Sequence, residues 1–257
     1  MPTTWWELTL QLERAIDERL KEYTKDLWKE DAISIDVAKA TRKVLAGAKV
    51  DVDHEKAAVV AEIFKADGTL EETFGDLALV VEATYRDGQK LKGVAFYEAK
   101  KRDWASANLS AMKRSQLVAM HNKLWNGNLL VYDPEPQTSR LAGIVFAPWW
   151  RDRHSYPPSV APVTRALSIP LGPVLQCDKP NATNLYKFGT PFSSQIVLRN
   201  LQGLDLDHDQ IVVEAATGYS QRMSVPKLVL AIGIRFGKGE AEVPSVNNDR
   251  LSRVVQD

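Results

Sequence analysis

The chain has 257 residues, enough for one large domain or two small ones with a substantial core. Its 44% hydrophobic and 26% charged residues are those of an ordinary globular protein and exclude a disordered or fibrous chain. Lys+Arg and Asp+Glu number 33 each, so the formal net charge is zero. A generally cationic surface is thereby excluded, and a nucleic-acid partner would have to be held by a local basic patch.

The single cysteine, Cys177, excludes an intramolecular disulfide and a Cys-based zinc site, and it reads as a bystander. Charges from Glu7 onward leave no room for the apolar stretch of a signal peptide. No apolar run approaches the ~20 residues of a membrane span, so a soluble, cytoplasmic protein with no membrane partner is expected.

In chain order, Trp5, Leu8, Leu12, Ile16, Leu20 and Tyr23 recur at helical spacing and predict an amphipathic helix over residues 4–27. Packing on its own domain is the first reading of this helix. Trp5 and Trp6 would also suit a protein partner or a homodimer interface. A second helix is predicted from Glu30 to about residue 46, with Ile33, Val37, Ala40, Val44 and Leu45 inside. Glu30 is a first-turn acid of the kind the helix dipole favours. Residues 56–65 read as a strand or a short helix, and the turn signal Ala66-Asp67-Gly68 favours the strand. Glu71 and Glu72 follow as solvated acids or as outer neighbours of whatever Asp76 binds.

The next stretch, 75–102, organises the chain. Asp76 opens the apolar run 77–81, Arg86-Asp87-Gly88-Gln89 gives a turn signal, and a second apolar run, 93–97, ends in Glu98-Ala99-Lys100. A β-hairpin is the expectation. Residues two apart on a strand share a face, so Glu98 and Lys100 point one way and Ala99 the other. Asp76, Glu98 and the Ala99 carbonyl form a hard-oxygen set suited to Mg²⁺ or Mn²⁺, which keep waters of their own. Lys100 beside that metal would orient or help deprotonate a water and steady a phosphate oxygen. These parts suffice to hydrolyse a phosphodiester. The register decides whether they meet. A two-residue Asp87-Gly88 loop sets Asp76 opposite Ala99, on the wrong face, whereas an odd loop or a β-bulge brings Asp76 to the face of Glu98 and Lys100.

Asp76 with Glu98-Ala99-Lys100 resembles the PD-(D/E)xK nuclease superfamily, with Gly75 where that family often has proline. The resemblance covers about residues 30–133. It implies an α/β fold with a restriction-endonuclease-like core, a mixed sheet flanked by helices, and Mg²⁺-dependent hydrolysis of DNA. It also implies a glutamate on the helix before the catalytic sheet, for which Glu30 and Glu62 are both candidates. Stand-alone members act in prokaryotic restriction and anti-phage defence. An RNA or branched-DNA nuclease, or a non-catalytic nuclease-like subunit that assembles or regulates a partner complex, are the alternatives.

A helix is predicted over 106–126 from Leu109, Met112, Leu117, Met120 and Leu124. Gln116 falls on that apolar stripe, where an amide needs hydrogen-bond partners. The resemblance implies that a glutamine here contacts the substrate backbone or the metal's water, while the tyrosine that accompanies it in some relatives is replaced by Met120. Lys101, Arg102, Lys113, Arg114 and Lys123 are candidates for a basic rim that holds phosphates, or for a solvated helix face. His121 reads as a surface histidine. Residues 128–132 read as a buried parallel strand and 141–146 as another.

Beyond lie a proline-rich stretch, 148–180, with the aromatic and basic run 149–154 that would pack on the core or stack bases. A helix is expected over 191–204, a polar loop at 205–209, and a buried strand at 227–234. The resulting division is an N-terminal helical segment (1–29), a nuclease-like core (30–147), a C-terminal extension (148–245) and a flexible tail (246–257).

Overall fold

The computed structural model describes residues 3–52, 55–66, 74–138, 163–220 and 223–254. The expected segments 141–146 and 149–154, and Glu71 and Glu72, lie outside these. The described chain is α/β, a mixed sheet of ten strands with helices on both faces. In chain order the strands are β1 (Thr3–Thr4), β2 (Lys49–Val52), β3 (Glu55–Ala66), β4 (Leu77–Thr84), β5 (Lys90–Lys101), β6 (Gly127–Thr138), β7 (Val163–Pro170), β8 (Thr190–Pro191), β9 (Leu228–Phe236) and β10 (Leu251–Arg253). Their spatial order is β1-β2-β3-β9-β4-β5-β6-β7-β8, with β10 alongside β3. The helices are α1 (Trp5–Lys21), α2 (Glu30–Leu45), α3 (Arg114–Lys123), α4 (Leu171–Gln176), α5 (Ala182–Leu185), α6 (Phe192–Leu198) and α7 (Gln210–Ala216).

Alternation along the strands divides the interior into two layers. Leu77, Leu79, Val81, Ala95, Tyr97 and Ala99 face α1, α2 and α6. Ala78, Val80, Val94, Phe96, Leu129 and Val131 face α3, α4 and α7. Strands buried on both sides carry continuous apolar runs, which is why β4, β5 and β9 read so clearly in the sequence.

Helix α1 starts as expected, with Thr4 accepting a bond from the Glu7 amide and Glu7 returning one to the Thr4 amide. It stops at Lys21, short of residue 27. Tyr23 bonds Asp36 at 2.8 Å and packs edge-on against Trp28, turning the chain back onto α2. Residues 56–65 form a strand, and α2 keeps its expected limits within a residue. The helix expected over 106–126 is cut down to Arg114–Lys123. Residues before it are held to the end of β5 instead, through an Arg102–Leu109 bridge and a bond from the Ser110 amide to the Lys101 carbonyl. The expected 191–204 helix is split, α6 being followed by a separate 3-10 turn at Asn200–Gln202.

The expected boundary at 147/148 runs across a single sheet. Strand β9 lies at the centre of the sheet, antiparallel to β3 and parallel to β4. The described residues of 163–245 supply strands β7, β8 and β9 of the sheet itself. Within the expected tail, β10 pairs with Phe64–Ala66 of β3. The path across the sheet is close: a Cβ on Gly233 would lie 1.8 Å from the Glu242 carbonyl oxygen, so the returning chain needs glycine there.

Candidate active site

The hairpin register meets the requirement set by the sequence. The Tyr85 amide bonds the Gln89 carbonyl, enclosing Arg86-Asp87-Gly88, and Gly88 takes φ +82°. This is an odd, three-residue loop with glycine in the left-handed position. Leu77 then pairs with Tyr97, and continuing that register sets Asp76 opposite Glu98. Asp76, Glu98 and Lys100 share the face of Ala78, Val80 and Phe96 at one end of the sheet.

Gly75 delivers Asp76 there. Its φ of +80°, and a virtual Cβ only 2.6 Å from the Tyr97 carbonyl oxygen, exclude any side chain without strain. The Asp76 amide bonds that same carbonyl at 2.9 Å, and Oδ2 of Asp76 accepts the Ala99 amide at 2.9 Å. Because N–H and C=O of one strand residue point to the same side, the Ala99 carbonyl is directed towards Asp76 as well.

Lys100 donates to Oε1 of Glu98 at 2.8 Å and to Oε1 of Glu30 at 3.3 Å. Glu30 is brought in by the segment ahead of α2. Trp28 Nε1 donates to the Arg102 carbonyl at 3.0 Å, and Lys101 Nζ donates to the Trp28 carbonyl at 2.5 Å. These bonds pin the first turn of α2 to the end of β5. The second Glu30 oxygen accepts Ser110 Oγ at 2.6 Å. Glu62, the other candidate, is on β3 in ion pairs with Arg42 and Arg253, so Glu30 is the acid at this site. Gln116 is half-buried on α3, its Nε2 3.1 Å from Oε2 of Glu98, while Leu117 and Met120 anchor the helix in the apolar layer.

Together with Gly75, Ala111, Lys113 and Val225, these residues line a cavity of about 150 Å³. One further member was missed by sequence reasoning. Lys227, at the start of β9, donates to Oδ1 of Asp76 at 2.6 Å. The parallel register that sets Leu228 beside Leu77 sets Lys227 beside Asp76. The separation is 151 residues, and no local signal in the sequence carries it.

Burial, followed by the facing Asp76 charge, pushes the Glu98 carboxyl above its ordinary range, against the pull of Lys100. Burial disfavours the Lys100 ammonium, but Glu98, Glu30 and Asp76 outweigh it and raise its pKa. The free site thus holds an ammonium between carboxylates. Such a lysine can orient a water or a phosphate oxygen by donating to it, and it becomes a base only after the local negative charge is neutralised.

The donors fit a hard divalent cation. Burial first and the facing Asp76 charge second disfavour the ionised Glu98 carboxylate, and a cation between the two carboxylates would relieve both. Among the described residues no group of three Asp, Glu, His or Cys side chains converges as a metal cage. Asp76, Glu98 and the Ala99 carbonyl would supply only part of the shell, which suits Mg²⁺, an ion that retains waters.

The expected basic rim is largely corrected. Arg102 is buried, with Nε 2.9 Å from Asp133 and Nη2 2.8 Å from Glu135, so its fork is spent inside the protein. Lys101 turns to the opposite face of β5, towards Trp28. Arg114 is exposed, but it donates to the Leu175 carbonyl at 2.6 Å. Lys113 does line the cavity mouth. His121 and Lys123 are exposed on α3. The 205–209 segment is a polar loop, with Asp205 paired to Arg199, Asp207 accepting the Trp125 amide and Asp209 capping α7.

No protein-family model, curated protein or solved structure matches the chain. No helix among the described residues is long and apolar enough to cross a membrane.

Proposed function

We propose that the protein is a metal-dependent nuclease with a restriction-endonuclease-like core, cleaving phosphodiester bonds in DNA. The observation that carries this reading is the convergence of Asp76, Glu98 and Lys100, drawn from two strands in an odd register, with Glu30 and Gln116 on one cavity. Apolar packing requires none of these polar groups, and bringing them together costs desolvation. Asp76, Glu98 and the Ala99 carbonyl would hold Mg²⁺ or Mn²⁺, which supplies Lewis acidity to the phosphoryl oxygens and acidifies a bound water. Lys100 would orient an attacking water by donating to it, with Glu30 fixing the Lys100 ammonium. Gln116 holds Oε2 of Glu98 while Lys100 holds Oε1, so that the carboxylate keeps one orientation. By analogy with stand-alone members of the superfamily that the motif resembles, the activity belongs to prokaryotic restriction or anti-phage defence.

Plasmid DNA incubated with Mg²⁺ or Mn²⁺ tests the reading directly. Nicking or degradation by the wild type is expected to vanish in Asp76→Ala, in Lys100→Ala and on chelation. Wild-type protein that neither cleaves nor binds Mn²⁺ by calorimetry overturns it.

A further inference from the structure

Lys227 presents a conflict at the site. Of the two Asp76 carboxylate oxygens, Oδ2 is committed to the Ala99 amide and Oδ1 to the Lys227 ammonium. A cation between Asp76 and Glu98 would add a positive charge beside two ammoniums, Lys227 on Oδ1 of Asp76 and Lys100 on Oε1 of Glu98, and like charges repel at close range. Metal loading would favour departure of the one that is free to move. Lys100 is held, its side chain 8% exposed and lying between Glu98 and Glu30. Lys227 can move: its side chain is 55% exposed at the cavity mouth.

Its backbone stays where it is. The Ala66 amide bonds the Lys227 carbonyl at 3.1 Å, and the next residue, Leu228, donates its amide to the Asp76 carbonyl at 3.0 Å. A released ammonium consequently swings about a fixed Cα, beside the metal ligand it has left. Lys227 lines the same cavity as Asp76 and Glu98, so its ammonium stays beside any phosphate brought to them. The competing resting place is Asp31, whose Oδ1 is 3.7 Å away and which is itself solvent-exposed.

We infer that Lys227 is a substrate-phosphate-binding residue that rests on Asp76 in the free protein and is transferred to the nucleic-acid backbone when metal binds. The inference rests on the nuclease reading and adds to it an ordered hand-over, in which metal loading frees the cation that then binds the substrate. Lys227 also accounts for phosphate binding by a chain of zero net charge whose Lys101 and Arg102 are turned away from the cleft.

Two titrations on intact protein test it, with Lys227→Met, Lys227→Arg and Asp76→Ala beside the wild type. Without DNA, Mn²⁺ should bind Lys227→Met about two- to fivefold more tightly than the wild type, because a half-exposed competing ion pair is gone. Lys227→Arg should stay close to the wild type. With Ca²⁺ present, a short DNA duplex should bind Lys227→Met with a salt slope shallower by about 0.9, one phosphate contact, and Lys227→Arg should restore the slope. Unchanged Mn²⁺ affinity in Lys227→Met shows that Lys227 does not compete for Asp76, and an unchanged slope shows that it returns to Asp31; either result overturns the inference. Both of these leave the nuclease reading intact, provided that wild-type Mn²⁺ binding is lost in Asp76→Ala. Wild-type protein and Lys227→Met that both bind neither Mn²⁺ nor duplex overturn the two together.

Discussion

At Gly75 the sequence departs from the motif it resembles, and the backbone explains the departure. Proline holds φ near −65°, whereas Gly75 sits at +80° with the Tyr97 backbone in contact. Asp76 is thus placed by a left-handed turn instead of a rigid one. Gln116 illustrates a polar side chain whose position on an apolar stripe foretold a partner, here Glu98 at 3.1 Å. Gln116→Ala leaves that carboxylate oxygen without its donor. Single-turnover cleavage is expected to slow by about 10–100-fold, with an unchanged circular dichroism spectrum. Lys227 shows the opposite case. Ahead of an apolar run it looks like an ordinary strand-end lysine, and only the distant pairing of β9 with β4 gives it a role.

Between elements, the contact of α1 with α6 carries a titratable group that has no part in the site. Glu13 on α1 is buried, and Ser193 on α6 donates a short bond to it. Burial pushes its carboxyl up from 4.5 to about 7, against hydrogen bonds from Ser193 and Thr164, with Asp17 adding to the rise. From pH 4.5 to about 7 the folded chain keeps a proton that the unfolded chain has released. Stability therefore falls as pH rises through that window and levels off above it. Denaturant unfolding across the range should show this slope. Glu13→Gln should flatten it and stabilise the protein by up to about 3 kcal/mol on the alkaline side.

The elements themselves were legible where their patterns were local. Helices α1 and α2, strands β4 to β6 and strand β9 follow hydrophobic period and length. The loop register was not, because Arg86-Asp87-Gly88 and Asp87-Gly88 are both good turns and only the folded sheet chooses between them. The overlong reading of α3 failed for a similar reason. Leu109 and Met112 keep the helical spacing, but the hydrogen bonds of this segment go to the end of β5.

Over the whole molecule, the placement of β9 decides what counts as a unit. It separates β3 from β4, so without it the sheet falls into β1-β2-β3 and β4-β5-β6-β7-β8. No local pattern signals this, since strand order at a separation of about 150 residues is fixed by burial and closure. A fragment spanning 30–147, although it carries Asp76, Glu98, Lys100 and Gln116, is expected to show no cooperative unfolding transition by circular dichroism.

The same strand sets a clock on the protein during synthesis. Chains leave the ribosome N-terminus first, and long-range strand pairing waits for its last partner. Asp76, Glu98 and Lys100 are all made well before residue 228, yet the sheet that carries them has β9 between β3 and β4 and is complete only once β9 has been made. For the nuclease proposed above, the site would be assembled only after most of the chain has been made.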